Sequence, residues 1–264
     1  MRDMYAEVAQ VHVESVGAGA PLVLLHGFAM HGGLFSPLLP PLARTHRVHV
    51  VDIPGHGRSP PIEPFDLPSL AVAIDAAIDA DVPVTVLGWS LGGQIALQWA
   101  LMRPARVKRL VLVATTPSFV QREGWPHAMA RAALARFGDE LRVSYRLTLQ
   151  RFLALQVHGS DEGRATLAQL RQCLFERGEP SPATLAGALQ LMEQVDLRST
   201  LSRVMTPALV VGGDLDALVP VQATSDLAAA LPNATQVTIE GAAHAPFLSH
   251  RAAFLDAVLP FIDG

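Results

Sequence analysis

The 264-residue sequence has a single cysteine, few charged residues and no long hydrophobic run. With only Cys173 present, no internal disulfide can form, which predicts a protein of a reducing compartment. The charged fraction is 17% and the net charge is −4, so the basic character typical of a nucleic-acid-binding chain is absent. No apolar run reaches the roughly 18 residues that a membrane-spanning helix needs. Half of the residues are hydrophobic, which is enough for a large core.

The first ten residues also lack the pattern of a secretion signal. They contain Arg2, Asp3 and Glu7 and no apolar segment, so we expect no signal peptide. Neither a metal-ligand spacing nor a glycine-rich phosphate loop occurs, and we expect no metal and no cofactor. The composition predicts a cytoplasmic globular protein, which we expect to be a monomer without nucleic-acid or membrane partners.

Short apolar runs alternate with helix-like segments along most of the chain. This alternation predicts an α/β fold with a mostly parallel, doubly wound sheet. The clearest helical pattern covers residues 91–102 and stops at Arg103-Pro104, as a helix should before proline. The six predicted strands are residues 21–25, 47–53, 83–87, 109–113, 208–211 and 235–239.

The segment from residue 118 to residue 196 breaks the alternation. It has no convincing strand, and leucine, alanine and arginine recur at helical spacing. We predict that residues 118–196 form a helical lid, inserted before the last two strands, over the sheet edge where such folds bind ligands. The core would then comprise residues 1–117 and 197–264. The alternative is an ordinary pair of crossover helices.

A Gly-x-Ser-x-Gly motif occupies residues 88–92, between a predicted strand and a predicted helix. A serine on so sharp a turn presents its hydroxyl above the sheet edge, and flanking glycines avoid a clash in the bend. The helix N-terminus also favours a developing negative charge. We therefore predict that Ser90 is a nucleophile. The alternative is that Ser90 only caps the helix.

A serine nucleophile needs a base and an acid that orients it. His244 lies after the last predicted strand and is the predicted base, whereas His26 and His56 are predicted to hold loops. Two acids, Asp214 and Asp216, follow the strand at residues 208–211. We favour Asp216 from its spacing to the next helix, and interpret Asp214 as a turn residue. The order Ser, Asp, His is that of α/β-hydrolases.

Two backbone N–H groups are needed to stabilise an oxyanion. The sequence predicts that one belongs to Leu91, directly after the nucleophile, and the other to Phe28, in the loop after the strand at residues 21–25. The Phe28 ring would form one wall of the pocket. The alternative is that Phe28 is only a core residue.

These motifs resemble those of the α/β-hydrolase family along essentially the whole chain. Residues 88–93, 151–156, 195–198, 215–220 and 243–250 also resemble the pimeloyl-acyl-carrier-protein methyl ester esterases of biotin synthesis. The resemblance implies cofactor-free hydrolysis of a methyl ester on an acyl chain bound to acyl carrier protein, with release of methanol. One departure is Phe28, where those esterases commonly have tryptophan. The resemblance implies substrate contacts from Phe28, Ser90, Leu91, Phe152, Leu153, Ala154, Leu155, Gln156 and His244.

The predicted lid carries an excess of positive charge. Residues 142–171 contain five arginines against two acids, in a protein of net charge −4. Because acyl carrier proteins are strongly acidic, we predict that Arg146, Arg151 and Arg164 contact the carrier and steer its approach. The alternative is a solvated helix face.

Other functions remain open from the sequence. A broad-specificity carboxylesterase or a carbon–carbon-bond hydrolase would use the same triad, and turnover of a carrier-bound methyl ester would separate them from the esterase. A haloalkane dehalogenase is disfavoured because its nucleophile is aspartate. A non-enzymatic ligand receptor on this fold would show slow or single-turnover hydrolysis and a ligand-dependent partner.

Overall fold

The computed structural model of the protein describes residues 10–264 and contains a seven-stranded sheet. Its strands are β1 (Val13–Val16), β2 (Ala20–Leu25), β3 (His46–Val51), β4 (Val84–Trp89), β5 (Val107–Val113), β6 (Ala208–Gly213) and β7 (Ala234–Ile239). Their spatial order is β1-β3-β2-β4-β5-β6-β7. Only the β1–β3 pair is antiparallel within this described sheet. The prediction of no signal peptide, and the first nine residues of the predicted core, lie outside the described residues.

Helices connect the strands, and three of them form the predicted lid between β5 and β6. No helix of residues 10–264 combines the length and the apolar character needed to cross a bilayer. The longest, α4, has a kink at Ser144, where φ is −141° and ψ is 60°. The α-helices are α1 (Leu39–Leu42), α2 (Leu67–Ala77), α3 (Leu91–Met102), α4 (Arg131–Leu155), α5 (Gly163–Leu174), α6 (Pro182–Gln194), α7 (Val221–Ala230), α8 (Pro246–Ser249) and α9 (Arg251–Asp263), and two 3-10 helices cover Gly32–Leu38 and Arg198–Arg203.

The fold class predicted from the sequence is confirmed, and each of the six predicted strands is present with small shifts of its ends. The strand that sequence reasoning missed is β1. It has four residues, two of which are Glu14 and Ser15, and it lies at the sheet edge with a single partner. Because it packs little apolar surface, its sequence carries no strand signal.

The strand order places a topological switch point next to β2. Residues Leu22 to Leu25 of this strand are fully buried, because the sheet is covered on both faces. From β2 the chain passes to β3 on one side and later to β4 on the other. The carboxyl ends of β2 and β4 therefore flank the topological switch point, where open α/β sheets bind their ligands.

A cluster of charged groups joins the turn after α5 to the core. Arg177 Nη1 lies 3.3 Å from both carboxylate oxygens of Asp52, and Nη2 lies 2.6 Å from Glu14 Oε2. The Asp52 carboxylate is fully buried and also accepts the N–H groups of Gly32 at 2.7 Å and Arg58 at 2.9 Å. Burial alone would raise the pKa of Asp52, but these donors and the guanidinium hold it below its ordinary value.

A hydrogen bond from His31 connects α5 to the loop after β2. His31 Nε2 donates to the carbonyl oxygen of Cys173 at 2.5 Å, while its Nδ1 accepts the Gly33 N–H at 3.1 Å. The ring thus bridges the lid and the core with both nitrogens used. Together with Arg177, it fixes the end of α5 on the core.

Candidate active site

Ser90 lies at the turn between β4 and α3, at the switch point. Its φ of 55° and ψ of −117° are rare for a residue with a side chain, so the turn is strained. The Ser90 N–H donates to Val113 O at 2.9 Å, and its carbonyl accepts from Thr115 Oγ1 at 2.7 Å. Its hydroxyl makes no capping bond to α3, so the geometry does not support the helix-cap alternative.

The glycines of the motif are required by close backbone contacts. A Cβ atom on Gly88 would lie 2.4 Å from Gly92 O, and one on Gly92 would lie 2.4 Å from Leu25 O. Any side chain would therefore push α3 away from β4 and from the loop after β2. This packing explains why the pentapeptide has glycine on each side of Ser90.

His244 and Asp216 meet in the loops that follow β7 and β6. His244 Nδ1 donates to Asp216 Oδ2 at 2.7 Å, and both side chains are buried. The other carboxylate oxygen accepts the N–H groups of Leu218 at 2.8 Å and Val219 at 2.9 Å. Asp214 is exposed. The geometry therefore favours Asp216 over Asp214 as the residue that orients His244.

The loop after β2 contacts the Ser90 turn. A Cβ atom on Gly27 would lie 3.1 Å from Ser90 Cβ. The Gly27 carbonyl accepts from His26 Nδ1 at 2.8 Å, and His26 Nε2 accepts the Ile53 N–H at 2.9 Å. Because the C=O and N–H of one trans peptide point in opposite directions, these bonds also fix the direction of the Phe28 N–H. His26 thus holds the loop that carries a predicted oxyanion donor.

The predicted oxyanion site also involves Leu91 and the ring of Phe28. Leu91 is the first residue of α3, and a first-turn N–H has no partner inside its helix. The buried Phe28 ring packs edge-on against two lid residues, with centroid distances of 5.9 Å to Phe137 and 5.7 Å to Phe152. Those two rings are 5.0 Å apart. Sequence reasoning missed Phe137, whose only signal is apolar spacing on a helix.

The predicted substrate-binding string, residues 152–156, covers the end of α4 and its C-cap Gln156. Leu153 and Gln156 are buried and Phe152 is partly buried, whereas Leu155 is 42% exposed. The His244 N–H donates to the Gln156 carbonyl at 3.0 Å. The string therefore touches the loop of the predicted base, while Leu155 lies at the surface. Ala154 is partly buried between them.

The three predicted carrier-binding arginines are all exposed on the lid, but they differ in their partners. Arg146 contacts the Glu179 carboxylate, and its guanidinium lies 5.3 Å from the Phe175 ring centroid. Arg151 Nη1 is 4.0 Å from Glu140 Oε2. Part of the positive charge is thus offset within the lid.

Metal-ligating side chains are not grouped at this site. Among residues 10–264, no three or more histidine, cysteine, aspartate or glutamate side chains are arranged to hold a metal ion.

His26 and His56 form a buried pair, with ring centroids 5.4 Å apart. Burial lowers the pKa of His26 to about 3 and that of His56 to about 4. Both rings are therefore neutral near pH 7, in keeping with their predicted loop-holding role.

Replacing His56 with phenylalanine should make stability less dependent on pH. Between pH 6.5 and pH 4 the unfolded chain protonates this histidine but the folded one does not, so stability falls as pH falls. The variant should lower the slope of unfolding free energy against pH by up to about 1.4 kcal/mol per pH unit. It loses one hydrogen bond to Pro54 O, at a cost of about 1 kcal/mol. Urea unfolding at several pH values measures this, and parallel slopes would contradict it.

A family model described as the alpha/beta hydrolase fold matches residues 20–251 of the chain. Curated relatives named pimeloyl-[acyl-carrier protein] methyl ester esterase are similar over almost the full length. The protein of Xanthomonas campestris pv. campestris (strain B100) is 44% identical over 253 residues, which cover 96% of this chain and 98% of the relative. That of Chromobacterium violaceum is 43% identical, with coverages of 95% and 97%.

Solved structures share the fold at lower identity. The esterase EaEST from Exiguobacterium antarcticum has a TM-score of 0.86 and 24% identity, and the match covers 96% of each chain. A bromoperoxidase from Bacillus anthracis has a TM-score of 0.88 and 22% identity, covering 96% of this chain and 95% of its own. At such identities the likeness concerns the fold alone.

Proposed function

This chain belongs to the alpha/beta hydrolase family, and from that premise we propose that it is a serine carboxylesterase of biotin biosynthesis. Its substrate is the methyl ester of a pimeloyl chain carried on acyl carrier protein, and its products are methanol and the free carboxylate. The observation that carries the chemistry is the buried His244–Asp216 hydrogen bond, with His244 in contact with Trp89, the residue before the strained Ser90 turn. The substrate follows from near-full-length similarity to enzymes named for this reaction.

In the proposed mechanism, Ser90 Oγ attacks the ester carbonyl while His244 Nε2 takes its proton. The Phe28 and Leu91 N–H groups donate to the oxyanion that forms. Methanol leaves with the proton from His244, and an acyl-enzyme remains. Water, activated by His244, then releases the carboxylate and frees Ser90. Asp216 holds the imidazole with its proton on Nδ1 throughout.

The acyl chain is proposed to lie between the lid and the Ser90 turn. Phe28 and Phe152 meet edge-on there, and Leu153, Ala154 and Gln156 belong to the same helix end. Their apolar surface suits a methylene chain, which gains about 0.8 kcal/mol for each buried CH₂ group. Leu155 would reach the substrate only if the end of α4 rotates.

Growth of a biotin-requiring bacterial strain that lacks its methyl ester esterase tests the proposal. The wild-type gene should restore growth without biotin, and the Ser90→Ala gene should not. Purified enzyme should also release methanol from the carrier-bound pimeloyl methyl ester.

Two results would favour the alternatives. A wild-type protein that cleaves small aryl esters but neither restores growth nor accepts the carrier-bound ester would be a broad-specificity carboxylesterase. Equal growth with the Ser90→Ala gene would exclude the serine mechanism altogether.

Carrier binding is proposed to use the exposed arginines of the lid. Acyl carrier proteins are strongly acidic, so opposite potentials would speed the encounter. Arg151 and Arg164 are preferred for charge reversal, because the 4.0 Å separation of Arg151 from Glu140 is longer than the contact of Arg146 with Glu179. Charge reversal at Arg146 would also place a glutamate against Glu179, which contacts Arg146.

Changing both Arg151 and Arg164 to glutamate should lower kcat/KM on the carrier-bound methyl ester about tenfold, because association slows. Adding Arg146→Glu should lower it further. Hydrolysis of a small neutral ester should stay unchanged, since the triad is untouched. Added salt should slow only the carrier-bound reaction, because exposed charges are screened beyond about 8–10 Å.

Arg44→Glu with Arg103→Glu is the matched control. These arginines are exposed near the start of β3 and after the end of α3, away from the carboxyl ends of the strands. The control should keep wild-type activity on both esters. Equal losses on both esters in the lid variant would indicate a misfolded lid. No loss on either ester would show that these arginines do not contact the carrier and only form a solvated helix face.

A further inference from the structure

Trp89, the residue before the predicted nucleophile, contacts the predicted base. Its indole Nε1 donates to the His244 carbonyl at 2.8 Å. The two rings are also in contact, with centroids 5.5 Å apart, and Phe247 packs on the indole at 5.3 Å. Trp89 is fully buried, so its position is set by the end of β4 and by the core. Nothing in the motif itself requires tryptophan at this place.

The His244 residue is held at three points by three different parts of the chain. Asp216 binds the imidazole, the Gln156 carbonyl accepts the backbone N–H at 3.0 Å, and Trp89 donates to the backbone C=O. The first contact sets the tautomer and rotation of the ring. The other two fix the backbone of a loop that has no sheet partner of its own.

The contact from Trp89 differs from the others because it starts one residue from Ser90. A proton transfer between Ser90 and His244 tolerates errors of only about 0.5 Å in their separation. Since one rigid side chain spans from the nucleophile turn to the base loop, a shift of β4 carries both residues together. We propose that Trp89 is a positioning residue, whose indole N–H sets the distance between His244 and Ser90. This inference rests on the proposed hydrolase mechanism.

The proposed positioning depends on the indole N–H of Trp89 and not only on the packing of its ring. A buried carbonyl without a donor costs free energy, so the His244 loop would move to find water or another N–H. Phenylalanine at position 89 keeps most of the packing against Phe247 but cannot donate. The loop shift would then appear in the chemical step and not in the binding of a small substrate.

Trp89→Phe should therefore lower kcat for p-nitrophenyl acetate by about 10- to 100-fold, while KM changes less than about twofold. The matched control is Trp99→Phe. Trp99 is also buried, lies on α3, and its Nε1 has no hydrogen-bond partner among the described residues. This control should keep wild-type kcat. Wild-type kcat in Trp89→Phe would overturn the proposal.

A double variant distinguishes positioning of His244 from a general effect on the Ser90 turn. If Trp89 acts through the base, Trp89→Phe should have no further effect on the residual rate of His244→Ala. A further tenfold loss in that background would show that Trp89 supports Ser90 instead, and would overturn the inference. Failure of the serine mechanism gives a different result, because wild-type and Ser90→Ala proteins would then hydrolyse p-nitrophenyl acetate equally. If only the proposed carrier-bound substrate is wrong, growth is not restored, and the effect of Trp89→Phe on p-nitrophenyl acetate still tests the inference.

If Trp89→Phe does not fold, benzothienylalanine at position 89 replaces it. This isostere has sulfur in place of the indole N–H and fills nearly the same volume. A folded protein with the same loss of kcat supports the inference, and one with wild-type kcat overturns it.

Discussion

Ester hydrolysis by the Ser90→Ala variant should be about a millionfold slower than by the wild type. Members of a catalytic triad act as a unit, so removing the nucleophile leaves only binding and the oxyanion donors. His244→Ala should cause a loss of similar size, because the Ser90 hydroxyl is a weak nucleophile without its base. Methanol release from the carrier-bound ester, followed over hours at high enzyme concentration, measures the residual rate.

The control for Ser90→Ala is Ser36→Ala, at an exposed serine in the first 3-10 helix. It should keep full activity. Circular dichroism and the melting temperature should match the wild type in both variants, since neither removes a core contact. A folded Ser90→Ala protein that keeps even a tenth of the activity would contradict the nucleophile assignment.

The Asp216→Asn variant should lose about 10⁴-fold in kcat. Asp216 Oδ1 accepts two backbone N–H groups, so the asparagine oxygen must stay on that side. Its NH₂ group then faces His244 Nδ1 and can only donate. This forces the imidazole proton onto Nε2, the atom that must accept the Ser90 proton.

Asp214→Asn is the paired control, because Asp214 is exposed and lies two residues away. It should change kcat less than about twofold. Comparing the two variants on the same small ester separates the tautomer effect from carrier binding. If Asp214→Asn were the worse variant, the acid would have been assigned to the wrong residue.

The parts of this fold that the sequence predicts are those determined locally. Largely apolar runs identify β2 to β6, because strands buried on both faces need few polar positions. The edge strand β7 contains Thr235, Gln236 and Thr238 and is buried only at Ile239, so its signal is weaker. Glycine spacing identifies the Ser90 turn, since the backbone contacts of Gly88 and Gly92 exclude any side chain there. Both signals lie within a few residues of the feature that they predict.

Contacts between distant parts of the chain left no such signal. Trp89 and His244 are 155 positions apart, and Arg177 and Asp52 are 125 positions apart. Phe137 on α4 contacts Phe28 in the loop after β2. A tryptophan, an arginine or a phenylalanine in one sequence does not indicate which distant group it will contact.

The tie between Arg177 and Asp52 has a consequence for enzyme engineering. Lids are attractive modules to exchange between hydrolases, because they determine which acyl groups reach the nucleophile. Here the lid cannot be exchanged without affecting the core, because Arg177 of the insertion pairs with Asp52 and Glu14 of the core. A chimera without an arginine at this position would leave the buried Asp52 carboxylate without its cation, a loss of about 3–5 kcal/mol. A working graft must therefore carry Arg177 with the new lid or change Asp52 in the recipient.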